Sequence, residues 1–130
     1  MKKWMSITLV AAAALVLLTS PLRALGGEER GKVHAFGGCT MGSTWQLVME
    51  PEVGIKFEAT IETGTPDHDW DITLKYQQVV LLHVVEQTEE DGGFEVVKVE
   101  NNKKGEDSTT VLATNLDTGE VCWGKLRAEL

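Results

Sequence analysis

The sequence predicts an all-β domain, an antiparallel β-sandwich of about seven strands, carried behind an export signal. Three observations lead there. Beyond residue 44 the apolar residues recur with a period of two and not 3.6, which is the strand period. Turn-forming clusters interrupt them at short intervals, as at Gly64-Thr65-Pro66-Asp67 and Asn101-Asn102-Lys103-Lys104-Gly105. The first residues have the charge, length and boundary of a secretory leader.

Lys2 and Lys3 give a positive start, Ile7 to Leu18 is an unbroken run of 12 apolar and small residues, and Thr19, Ser20 and Pro21 end it. Small residues at Ala24 and Gly26 suit a signal peptidase, so cleavage is expected after Gly26, with Ala24 as the alternative. A spanning helix needs roughly 20 apolar residues, more than this run supplies, and no later stretch is longer. Residues 1–26 therefore read as a signal peptide, and the mature protein as periplasmic or secreted.

Residues 27–44 are polar and glycine-rich (Gly27, Gly31, Gly37, Gly38, Gly42) and lack apolar periodicity, which predicts a flexible N-terminal arm. The domain proper is expected over 45–130. Trp45–Met49 reads as a first strand ended by Pro51. Ile55, Phe57, Ala59 and Ile61 alternate with Lys56, Glu58, Thr60 and Glu62, and Trp70, Ile72, Leu74 and Tyr76 alternate with Asp71, Thr73 and Lys75. Both are half-buried strands. Val79–Val85 is apolar except for His83, which fits either a strand buried on both faces or a partner-binding edge. An acidic loop from Glu86 to Gly93 leads to a strand over Phe94–Val99. Ser108–Thr114 and Val121–Leu130 pair across Asp117-Thr118-Gly119 as a terminal hairpin. No helix longer than a turn and no internal repeat is expected in the mature region.

Loss of Lys2, Lys3 and Arg23 with the leader leaves nine basic residues against 20 acidic ones, a net charge of −11 on 104 residues. That field repels phosphate backbones and argues against nucleic acid as a partner. Two cysteines, Cys39 and Cys122, lie near opposite ends of the mature chain. In an exported protein an even count favours a disulfide, with a reactive thiol or an intermolecular bridge as the alternatives. A bond between them closes a loop of about 84 residues, and chain entropy assigns it on the order of 4 kcal/mol.

The stretch Gly54–Pro66 resembles the second strand and following turn of intermediate-set immunoglobulin-like domains. Asp107, Val111 and Ala113 fall at the spacing of that family's Asp, Tyr and second cysteine in the sixth strand. The resemblance covers about 60 residues in two pieces. It implies an immunoglobulin-like sandwich, with Ala59 and Ala113 in place of the family's two core cysteines. Val111 replaces the corner tyrosine, and the core tryptophan is out of register by about two residues, whether Trp70 or Ile72 is taken. The family implies recognition more often than catalysis, although fold alone does not fix function.

Few constellations suggest chemistry. Asp67, Asp69 and Asp71 share one face of an extended chain and are weak candidates for a calcium site; against it, Ile72 and Gln78 stand where a calcium loop needs glycine and glutamate. His34, His68 and His83 have no ligand-like spacing, and His83 reads as a core histidine. Cys39 in its glycine-rich setting lacks a supporting base motif, and Ser43 and Ser108 lack a nucleophile-elbow context. No cofactor and no catalytic residue is expected. The remaining handles are Val80 and Leu82 on the apolar run and Trp123, which points away from Cys122, Leu126 and Ala128. Trp123 is either covered core or an exposed contact for protein or carbohydrate. The expectation is a non-catalytic protein that binds a protein partner, a periplasmic chaperone or assembly inhibitor being one version. The alternative is a carbohydrate- or calcium-binding accessory module.

Overall fold

A strand that is apolar on one face is stable only when that face is covered, and two such sheets cover each other. In the computed structural model, which describes residues 31–130, eight strands do this: β1 (Val33–Gly38), β2 (Thr44–Glu52), β3 (Gly54–Glu62), β4 (Asp69–Tyr76), β5 (Val79–Gln87), β6 (Gly93–Glu100), β7 (Asp107–Asn115) and β8 (Val121–Ala128). They form two four-stranded sheets, a back sheet ordered β1-β2-β3-β6 and a front sheet ordered β5-β4-β7-β8. Every pairing is antiparallel. The signal peptide expected over residues 1–26 and the first residues of the expected arm lie outside the described residues.

The expected sandwich is present, with one strand more than predicted. β1 lies within the stretch expected to be a flexible arm, paired to β2 from Val33↔Met49 to Gly38↔Thr44. Its inward positions are Val33, Ala35 and Gly37, too few apolar side chains to show a period. Pro51 does not end β2, which runs on to Glu52. The β1–β2 ladder stops at Met49, so at Pro51 only the β3 side of the strand is paired, and a missing N–H on the other side is tolerated.

The core is the sum of the inward phases. Ile55, Phe57, Ala59 and Ile61 of β3 meet Trp70, Ile72, Leu74 and Tyr76 of β4, with Val111 and Ala113 of β7 and Cys122 and Leu126 of β8 beside them. Ala59 and Ala113 are both fully buried. Trp70 is seated by packing alone: its ring tilts against Phe94 at 6.1 Å between centroids, and its Nε1–H has no partner.

Trp45 occupies a slot made by two glycines. A Cβ on Gly124 of β8 would come within 2.6 Å of its ring, and one on Gly37 of β1 within 2.8 Å. Neither glycine has a left-handed φ, so both stand where they do for space.

The turn between β1 and β2 is fastened to the start of β8. Cys39 and Cys122 form a disulfide across a sequence separation of 83 residues. Next to it the Glu120 carboxylate, nearly buried, accepts the Met41 N–H (3.0 Å), the Ser43 N–H (2.8 Å) and the Ser43 hydroxyl (2.7 Å). Thr40 and Val121 exchange two further bonds: the Thr40 N–H donates to the Val121 carbonyl, and the Val121 N–H to Thr40 Oγ1. A second buried carboxylate, Asp107, accepts the Tyr76 hydroxyl at 2.6 Å and the Leu130 N–H at 2.8 Å, fixing the segment beyond β8.

Two outcomes follow. Gly124→Val drives a side chain into the Trp45 ring and lowers stability by about 1–3 kcal/mol, the usual range for overpacking, read as a lower urea midpoint. Glu120→Ala strands the buried donors of Ser43 and the part-buried amide of Met41; a loss of about 2–4 kcal/mol is expected from bonds to a charged acceptor, with faster amide exchange at those two residues.

Candidate partner-binding surface

The outer face of the front sheet is built by the opposite phase of the same strands. Register aligns three rows across β5-β4-β7-β8: Val80–Lys75–Thr110–Lys125, His83–Thr73–Leu112–Trp123, and Val85–Asp71–Thr114–Val121. Trp123 and Leu112 are directly paired, and 58% and 46% of their surface remains exposed. Thr73, Lys75, Thr110, Leu112 and Trp123 line a shallow depression of about 260 Å³. Trp123 is therefore exposed and not covered core, and its indole lies among threonine hydroxyls and a lysine.

β5 borders this face and is an edge strand of the front sheet. Val79, Val80 and Val85 are each about half exposed, at 51%, 51% and 56%. The Val79–Val85 run is thus an edge strand and not one buried on both faces. Leu81 and Leu82 are partly buried and pack against the core, so Leu82 contributes to the fold. A register shift opposite Leu74 and Lys75 lets both leucines turn inward. β5 enters through a hairpin whose two central residues, Gln77 (φ 50°) and Gln78 (φ 71°), are both left-handed, and this twist suits a two-residue turn although neither is glycine. The Gln77 amide group anchors the turn by donating to the Glu106 carbonyl at 2.8 Å.

His83 is exposed on the outer face, not in the core. Its Nε2 meets Asp71 Oδ1 at 2.8 Å. The reason is phase: Leu82 and Val84 take the inward positions on either side. Asp71 is thereby engaged, Asp69 stands at the start of β4 and Asp67 lies in the preceding turn with φ 63°. The described residues contain no group of three or more His, Cys, Asp or Glu side chains arranged to hold a metal. His34 is exposed on the back sheet, and His68 accepts the Asn115 amide on Nδ1 at 3.1 Å. The three histidines are thus held on separate elements, β1, the β3–β4 turn and β5. Cys39 is committed to its disulfide, and Ser43 donates to Glu120. Among the described residues no helix is long and apolar enough to cross a membrane.

Lys75, Lys125 and Leu112 were not singled out from the sequence. Leu112 had a readable signal: it is the one apolar residue in the outward phase Ser108, Thr110, Leu112, Thr114 of β7. Phe36, 73% exposed on the outer face of the back sheet, was hidden within the presumed arm.

No protein-family model, no curated protein and no solved structure matches this chain.

Below this face lies the one tyrosine of the chain. Burial, and then the hydrogen bond to Asp107, hold the Tyr76 hydroxyl above the ordinary value of 10.0. A group whose folded pKa is raised contributes stability that is present below its unfolded pKa and lost as pH climbs through the folded one. Tyrosinate absorbance should therefore appear at higher pH in the native protein than in urea, and stability should fall only as pH rises beyond 10.0. Titration of the native protein at the ordinary value would contradict this.

Proposed function

We propose that the chain is an exported, non-catalytic binding protein that captures a protein partner on the outer face of its front sheet and along the β5 edge. The observations that carry this are the exposed Trp123–Leu112 pair on β8 and β7 and, at the other edge of the same sheet, the three exposed valines of β5. Tryptophan is enriched among residues that dominate binding energy, and contiguous exposed apolar surface marks interaction sites. An edge strand without charges from Val79 to Val85 can also accept an added strand, the mode a periplasmic chaperone or assembly inhibitor would use. The chemistry of the other candidates supports a non-catalytic role: the only two sulfur nucleophiles are joined to each other, and the buried serine hydroxyl donates to a carboxylate. The disulfide itself suits an oxidising compartment. A carbohydrate-binding module is the second reading, favoured by the threonine hydroxyls and lysine around the indole.

Immobilised mature protein should retain a partner from the periplasm or secretome. Trp123→Ala should weaken retention about 30-fold, for a hot-spot loss of about 2 kcal/mol, while leaving the melting temperature unchanged. Val80→Lys should act similarly, whereas Leu82→Lys should unfold the domain. Retention of a glycan instead, still dependent on Trp123, would select the second reading. Undiminished retention by both surface variants would remove the face from consideration.

A further inference from the structure

The two outer faces of the sandwich differ in charge. The front face carries Lys75, Lys125 and Arg127 against Asp69 and Asp71, and the Asp71 carboxylate is already engaged by His83. Arg127 approaches Glu106 only at 4.0 Å, with both side chains more than half exposed, so its charge remains largely available. The back face is the reverse. Glu50, Glu58, Glu62 and Glu95 point outward there, and Lys56 is surrounded by Glu50, Glu52 and Glu58 at 3.8, 3.9 and 3.1 Å. Two adjoining depressions on this face share Thr60 and Glu62. One, of about 500 Å³, is walled by Phe36 and the edge of Trp45. The other is lined by Glu62, Glu89, Asp91 and Glu95 with no basic residue.

Each face also sets an aromatic ring and a charge at the same spacing. Phe36 on edge strand β1 lies in one row with Thr60 two strands away, and Glu62 is two residues further along β3. Trp123 on edge strand β8 lies in one row with Thr73 two strands away, and Lys75 is two residues further along β4. Ideal strand spacing and rise make both separations roughly 12 Å.

We infer that the partner on the front face is the back face of a second copy of this chain, with Trp123 against Phe36 and Lys75 against Glu62. This rests on the reading that the front face binds protein, and it names that protein. A foreign partner would need one of these faces; a copy of the chain uses both, and their opposite charge and matched spacing then have one cause. The contact joins two different patches, so each copy added leaves a free front and a free back, and the assembly grows as a ring or an open stack. Its ionic part lies between exposed groups and weakens with salt.

Sedimentation of the mature protein should show a weight-average mass that rises with concentration and falls back at high salt. Phe36→Ser and Trp123→Ser should each be monomeric alone. Mixed in equal amounts they should form a particle of twice the monomer mass and nothing larger, because only one front and one back remain competent; loss of fold could not produce that result. Lys75→Glu should likewise be rescued by mixing with Glu62→Lys. A wild-type protein that stays monomeric while Trp123-dependent capture of another protein persists would overturn the inference and leave the front face as a binding site. Association that survives either serine substitution would place it on another surface and also overturn it. A monomer with no capture would end both readings.

Discussion

The fastening of the β1–β2 turn to β8 is the constraint on which the rest of this structure depends. The two four-stranded sheets share no ladder of backbone hydrogen bonds, so side-chain packing and the few links between their connecting segments set how they lie. On the β1 and β8 side that packing would be thin, because β1 offers only Val33, Ala35 and a glycine. The disulfide, the Glu120 carboxylate and the Thr40–Val121 pair of bonds supply there what the apolar residues do not. Trp45 can then lie across the seam in its glycine slot, with Trp123 of β8 facing outward.

Glu120 shows how a buried charge can act as structure. An isolated carboxylate at that depth would be costly, and one that accepts three donors from a single turn is compensated. The same logic holds at Asp107, where Tyr76 and the Leu130 amide converge. The two carboxylates hold opposite ends of the β7–β8 hairpin, one at the residue before β8 and one at the first residue of β7, opposite Ala128. The strand pair that carries Leu112 and Trp123 is therefore the best anchored part of the surface, which suits a rigid contact better than an adaptable one.

Much of the fold was legible because period-two alternation reports burial directly in β3 and β4, and apolar runs bounded by turns marked the other five predicted strands. The cysteine pairing was legible from count and compartment. What escaped has physical reasons. β1 lacks enough inward apolar residues to display a period, and its strand character comes from pairing with β2. Pro51 stays in β2 because its neighbour ends two residues earlier, a fact of register that no local propensity carries. His83 sits in an apolar run yet faces solvent, since alternation through a register shift assigns the inward positions to leucines. Glu120 looked like one acidic residue among 20, and only long-range contact distinguishes it. The candidate surface was half visible: Trp123 from its phase relative to Cys122, but not Lys75, which belongs to a strand far away in sequence.

The covalent link has a mechanical consequence as well. Cys39 lies near the start of the described domain and Cys122 near its end, and the 83-residue separation between them contains six of the eight strands in full. A pull applied to the flanking chain on either side loads β1 and β8, is then transmitted through the sulfur–sulfur bond, and bypasses the six strands between. Only the short segments outside the two cysteines can extend, so the oxidised domain behaves as an inextensible link in any chain or stack under tension. Reduction would return that load to the β-ladders, and the strands between the cysteines would become available to stretch.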